Sequence, residues 1–220
     1  MQARFRSDYA GEFVVLETRW SGGKKSQTRE FVANPIENHH ISGRAACIGS
    51  KTDLDRFDYT RLQRHRGGLL GSKKLQNYGT GEIAQTMRLD FACETSNYGL
   101  QVLLDSDYYK DNIVYTSAKH CINDPGKYYL IPHNPGLLDP VTIIYLAAFD
   151  GHKEIFLLGY NRDTPIENAT WHQQLTKIFN AYATTKFFIV GEATNMHKEW
   201  LDCANTETMT YREFISYCDV

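Results

Sequence analysis

A chain of 220 residues with 42% hydrophobic and 23% charged residues has the size and composition of one ordinary globular domain. Its formal net charge of −2 argues against a wholesale nucleic-acid coat and leaves room for a local basic patch. No window approaches the roughly 18 consecutive apolar residues of a membrane span, so no membrane partner is expected.

The opening MQARFRSDYAGEF lacks the apolar core of a secretory signal, and the five cysteines are scattered without a CxxC pair. Cys47 and Cys93 fall in strand-like runs, so buried reduced thiols and a cytoplasmic location are expected. Phe13 to Trp20 and Thr28 to Val32 flank the turn Ser21 to Ser26, which predicts an N-terminal β-hairpin within residues 1–36. Ala45 to Ile48 reads as a buried strand running into Gly49-Ser50-Lys51-Thr52, and Asp53 to Leu62 as a short helix or turn. The next stretch, RLQRHRGGLLGSKKLQNYGTG, reads as a basic glycine-rich loop. Leu89 to Cys93, Ile113 to Thr116 and Tyr128 to Ile131 are short strands, with a helix over Tyr98 to Leu104.

The chain is organised around LDPVTIIYLAAFDGHKEIFLLGYNRD. Asp139 is placed to cap a helix, Pro140 suits its first turn, and Val141 to Phe149 is apolar all round, as in a sandwiched helix. Gly151 ends it, and Glu154 to Gly159 is a continuously apolar run of the kind found in a central parallel strand. Trp171, Leu175, Ile178, Phe179 and Tyr182 recur at helical spacing, followed by a strand over Phe187 to Val190 and a last helix over Tyr211 to Tyr217. Alternating strands and helices predict one α/β domain. Residues 44–220 form a Rossmann-like, mostly parallel sheet with helices on both faces, and the hairpin extends it.

Function in such sheets collects at the carboxyl ends of the strands. Gly49, Ser50 and Thr52 leave a strand there, either as a plain βα turn or as a cradle for a phosphate. Arg61, Arg64, His65, Arg66, Lys73 and Lys74 lie among glycines, as a solvated loop or as a grip on phosphates. His133 and Asn134, fixed between prolines, offer a general base or a turn bonding its own loop. His172, at the start of a helix, is a surface residue or a second candidate base. Tyr160, Asn161, Arg162 and Asp163 crowd the end of the central strand, and Tyr78, Tyr160 and Trp171 are candidates to stack on bases. No metal-ligand spacing and no acidic pair at a strand end is present, so no obligatory metal is expected.

AACIGSKTDLDRFDYTRL resembles the opening strand and turn of bacterial sialyltransferases of the lipooligosaccharide type, and LAAFDGHKEIFLLGYNRD resembles their helix–strand block. The resemblance implies a glycosyltransferase in which Gly49, Ser50 and Thr52 hold the phosphate of a UDP- or CMP-linked sugar. Gly71, Ser72, Asn134, Tyr160, Asn161 and Arg162 are expected around that donor. The aspartate of the family aligns with Asn161, with Asp163 two residues on; His172 falls near the family's histidine base, with His133 its rival. PIENHHISGRAACIGS, RLQRHRGGLLG, YLAAFDGH and ISYCDV also resemble small proteins of large tailed phages with modified DNA. That resemblance implies transfer of a pentose or hexose to 5-hydroxymethylcytosine in double-stranded DNA, held by Arg64, His65, Arg66, Lys73 and Lys74. A transferase acting on a surface glycan and a non-catalytic nucleic-acid-binding phage accessory protein are the alternatives.

Overall fold

The structure, a computed structural model, describes residues 10–35, 43–51, 55–65, 75–133, 135–160, 170–192 and 196–220. Strands β1 (Ala10–Ser21) and β2 (Lys24–Pro35) form the expected hairpin, a two-stranded antiparallel sheet apart from the main one. Its turn is Gly22-Gly23 with φ of 58° and 75°, the doubly left-handed geometry that matches the twist of the flanking strands.

The main sheet has eight strands: β3 (Arg44–Ile48), β4 (Gln76–Thr80), β5 (Phe91–Cys93), β6 (Ile113–Thr116), β7 (Tyr129–Leu130), β8 (Glu154–Leu158), β9 (Lys186–Val190) and β10 (Thr206–Met209). Their order is β10-β9-β8-β3-β4-β5-β6-β7 and every neighbouring pair is parallel. A 3-10 helix spans Tyr59–His65. The α-helices are α1 (Gly81–Ala84), α2 (Asn97–Asp105), α3 (Tyr108–Asp111), α4 (Ala118–Asn123), α5 (Asp139–Phe149), α6 (Trp171–Ala181), α7 (Lys198–Leu201) and α8 (Tyr211–Cys218).

Alternate residues of each strand feed two cores, because successive side chains leave a strand on opposite faces. Ala45 and Cys47 pack with α5, α6 and α7; Ala46 and Ile48 pack with the 3-10 helix, α1, α2, α4 and α8. Helices therefore cover both faces, which is why the central strands are apolar throughout. The all-round apolar character of α5 has the same cause: every residue from Val141 to Phe149 is buried. Among the described residues no helix is long and apolar enough to cross a membrane. Cys47 and Cys93 are buried and free.

Two expectations are corrected. The end of the basic glycine-rich segment is not loop: Gln76–Thr80 is strand β4, wholly buried between β3 and β5. Asn77 is tied to neighbouring chain, donating its amide to Asp90 Oδ2 (2.8 Å) and Nδ2 to Leu62 O (2.9 Å). Gly79 serves close packing, since a Cβ there would lie 2.6 Å from Leu89 Cδ1. Asp139 does not cap α5; Leu138 holds the cap position, and the Asp139 side chain reaches across to β5 instead. Gly151 does end the helix, at φ 96°, with its amide donated to Ala148 O.

Just past that end lies a sealed polar cluster. The Tyr78 hydroxyl donates to Asp150 Oδ2 at 2.6 Å and meets His152 Nε2 at 3.1 Å. Tyr78 and His152 are completely buried and Asp150 is 2% exposed.

Candidate functional site

The order of the sheet reverses at β3 and β8, which places the expected crevice beyond their carboxyl ends. Gly49, Ser50, Gly159 and Tyr160 occupy that position, and they bind each other. Gly49 donates its amide to Leu158 O (3.0 Å), and the Ser50 hydroxyl donates to Gly159 O (2.8 Å). The Tyr160 ring covers Gly49 so closely that a Cβ would lie 2.5 Å from Tyr160 Cζ. Gly159 has φ +73°, and a Cβ there would meet Ser50 O at 2.5 Å. The Tyr160 hydroxyl donates to Pro140 O at the start of α5, and burial raises its pKa well above the ordinary tyrosine value.

Tyr160 is therefore not the base-stacking residue expected of it, being 1% exposed with its hydroxyl turned inward. Tyr78 and Trp171 are corrected on the same ground, at 0% and 4% exposed. Gly49 and Ser50 stand at the strand end as expected, but their glycine and hydroxyl are used to lock β3 to β8.

The open part of the carboxyl edge lies over β5, β6 and β7. A pocket of about 280 Å³ is lined there by Thr95, Ser117, Ile131, Gly136, Leu137 and Thr142. Thr95 follows β5, Ser117 follows β6, Ile131 follows β7 and Thr142 lies in the first turn of α5. Behind this wall two carboxyl groups meet. Asp139 accepts from the Thr95 amide (2.9 Å) and from the Thr95 hydroxyl (2.7 Å), and it is hydrogen-bonded to Glu94. Its place at the start of α5 lets the helix dipole favour its charge.

Glu94 sits deeper. It accepts from the Ser96 amide at 2.8 Å, and Gly81 and Gly99 leave room for its carboxyl, which a Cβ on either would overlap. Ser96 in turn caps α2, its hydroxyl accepting from Gly99 N at 3.0 Å. Burial pushes the Glu94 carboxyl above its usual range, the bonds from Ser96 pull it back, and the charge of Asp139 pushes it up again. A carboxyl whose pKa is raised by burial, next to a pocket, is a recurrent feature of functional sites.

The start of α5 joins the two halves of this edge, because Asp139 reaches β5 while Pro140 O receives Tyr160 from β8. Leu138 N donates to Gln174 Oε1 of α6, completing the link (3.1 Å).

The two candidate histidines lie apart. The chain after β7 turns back along α5, so Pro132 O accepts from the Tyr145 hydroxyl and the His133 ring packs edge-on against Phe149 (5.6 Å). Phe149 ends α5, ten residues or roughly 15 Å of helix axis from Asp139. His133 is exposed there with φ 51°, away from the carboxyl edge, which corrects its expected role as a base at the strand ends. His172 is at the edge, in the first turn of α6, stacked on His197 with ring centroids 5.0 Å apart.

Thr52, Arg66, Gly71, Ser72, Lys73, Lys74, Asn134, Asn161, Arg162 and Asp163 lie outside the described residues, as do the side chains of Arg64 and His65. Among the described residues no group of three or more His, Cys, Asp and Glu side chains is placed to hold a metal ion.

Glu94, Thr95 and Asp139 were missed by reading the sequence. The signal available was CETS, an acid and two hydroxyls leaving a strand into a capped helix, but its partner Asp139 is 44 positions beyond Thr95. Comparison with family models, with curated proteins and with solved structures finds no match to the chain.

Proposed function

We propose that the protein is a glycosyltransferase that moves a sugar from a UDP- or CMP-linked donor to 5-hydroxymethylcytosine in DNA. One observation carries this reading: a pocket of about 280 Å³, lined in part by Thr95, Ser117 and Thr142, opens at the carboxyl edge of an all-parallel sheet, beside the carboxyls of Asp139 and the buried Glu94. The hydroxyls of Thr95, Ser117 and Thr142 suit a sugar, which is recognised by bonds to its own hydroxyls.

In this reading the donor lies across the start of α5. Asn161, Arg162 and Asp163 serve the nucleotide or sugar, and Arg162 balances the charge that builds on the leaving phosphate. Arg64, Arg66, Lys73 and Lys74 hold the DNA backbone without reading sequence. Resemblance of the β3 and β8 blocks to sialyltransferases supports the donor class; resemblance to phage proteins supports the acceptor.

A thermal-shift screen against UDP, CMP, GDP and NAD tests the donor. Mass spectrometry of hydroxymethylcytosine DNA, incubated with the matching nucleotide sugars, tests the acceptor. Stabilisation by one pyrimidine nucleotide with a pentose or hexose mass gain is the expected result. Stabilisation without a mass gain removes the DNA acceptor and favours a glycan. DNA binding that weakens with salt, with no nucleotide affinity at all, removes the enzyme and leaves a binding protein.

A further inference from the structure

Thr95 lines the pocket, and its hydroxyl is already a donor to Asp139 at 2.7 Å. Its backbone amide donates to the other oxygen of the same carboxyl at 2.9 Å, so the Asp139 carboxyl is fixed in plane against the Thr95 side chain. Behind Asp139 stands Glu94, hydrogen-bonded to it and cradled by Gly81 and Gly99. Pocket, hydroxyl, carboxylate and carboxyl follow one another in a line leading from solvent into the protein. We infer that this line is a proton relay in which the Thr95 hydroxyl takes the proton of the attacking acceptor.

The strands that flank this line also hold two buried hydroxyls. Thr80 pairs with Cys93 across β4 and β5, so both side chains leave the sheet on one face, and Cys93 Sγ lies 3.9 Å from Asp139 Oδ1. Glu94 N is donated to Tyr115 O, which continues the β5–β6 pairing and sets Glu94 beside Thr116 on the opposite face. Thr80 is 6% exposed and Thr116 completely buried, yet neither hydroxyl has a hydrogen-bond partner among the described residues. One lies on each face of the sheet beside β5. Native interiors rarely leave such groups unsatisfied.

The relay rests on the transfer reading above, and its chemistry balances. An acceptor oxygen forms a bond to the anomeric carbon while the bond from that carbon to the donor phosphate breaks, its electron pair leaving with the phosphate oxygen. The acceptor proton passes to Thr95 Oγ1 as the Thr95 proton passes to Asp139. Product release lets the proton return to solvent by the same route. Thr95 touches the substrate and is the catalytic residue; Asp139 and Glu94 act through it and are positioning residues. Burial of Glu94 and the nearby charge of Asp139 both push the Glu94 carboxyl above its usual range. The other titratable groups around it are Cys93 on β5, His120 of α4, whose Nε2 lies 3.1 Å from Thr95 O, and Glu82 of α1, paired with Lys51 at 3.8 Å.

The test compares wild type with Thr95→Val, Thr95→Ser, Asp139→Asn and Glu94→Gln. It uses nucleotide release with acceptor present, donor-induced thermal shift, and infrared spectra over pH. Thr95→Val and Asp139→Asn are expected to lower kcat about 10²- to 10⁴-fold, the range of general-base catalysis, with the donor-induced shift retained. Thr95→Ser, which keeps the hydroxyl, is expected to restore most of it. The spectrum of the wild type is expected to show a protonated carboxyl near neutral pH that Glu94→Gln removes and Thr95→Val shifts. Turnover of Thr95→Val equal to wild type overturns the relay. A wild type that turns over no nucleotide sugar sinks the transfer reading. The infrared result then decides the relay: no protonated carboxyl near neutral pH, or one indifferent to Thr95→Val, overturns it. If Glu94→Gln does not fold, Asp139→Asn serves as the spectral reference.

Discussion

Helix α5 carries an aspartate at each end, and the two live in opposite circumstances. Asp139, its first residue, sits where the helix dipole favours a negative charge and is joined to a hydroxyl that lines a pocket. Asp150, just past its last residue, sits where the dipole opposes the charge, 2% exposed among the sheet side chains. Tyr78, donating at 2.6 Å, offsets that cost, and His152 completes the cluster at 3.1 Å from the Tyr78 oxygen. One polar network is closed on every side and can only hold the fold together. The other reaches the pocket through Thr95. The difference lies in position along one helix, since the carboxyl edge of a parallel sheet leaves a crevice and the amino edge here is filled.

Disrupting the sealed network should cost the most stability. Asp150→Ala removes the carboxylate that accepts from the buried Tyr78 hydroxyl, and about 3 kcal/mol should be lost in urea unfolding. For a chain of this length that is a fall of roughly 6–12 °C in Tm. Gly49→Ala tests the other closed region, because the added methyl meets the Tyr160 ring. A loss of about 1–3 kcal/mol is expected, and a double-mutant cycle with Tyr160→Leu should show strong coupling. Additive losses would mean the ring is not the obstacle. Tyr78→Phe should cost about 1–2 kcal/mol, less than Asp150→Ala, because it removes the hydroxyl's bond to Asp150 and its contact with His152 Nε2 without removing a charged group.

The open network should instead show itself against pH. The Glu94 carboxyl is raised by burial above its ordinary value of 4.5, so between that value and the raised one the folded protein holds a proton that the unfolded chain releases. Its contribution to stability is complete below the unfolded value and is lost as pH rises through the folded one. Glu94→Gln should flatten this fall when urea midpoints are compared at several pH values. An unchanged pH dependence would place the Glu94 carboxyl in its ordinary range.

The block from α5 to β8 was legible because its cause is local. A helix apolar on all sides, a glycine at its end and a short apolar run leave one arrangement, a covered helix before a covered strand. Strand β4 was not legible, because Gln76, Asn77 and Gly79 look like loop residues until Asp90, Leu62 and Leu89 are brought beside them. At the strand ends, the glycine of the β3 turn suggested a phosphate, whereas its backbone is bare to admit the Tyr160 ring. The carboxyl pair escaped because its halves come from β5 and α5, and only the sheet order brings them together.

The most direct measurement sets the two ends of α5 against each other, with Asp139→Asn and Asp150→Asn assayed side by side for urea stability and for nucleotide release per folded molecule. The account predicts that Asp139→Asn stays near wild-type stability and loses turnover, while Asp150→Asn loses stability and keeps turnover. Turnover retained in Asp139→Asn, or lost equally in both, would contradict it.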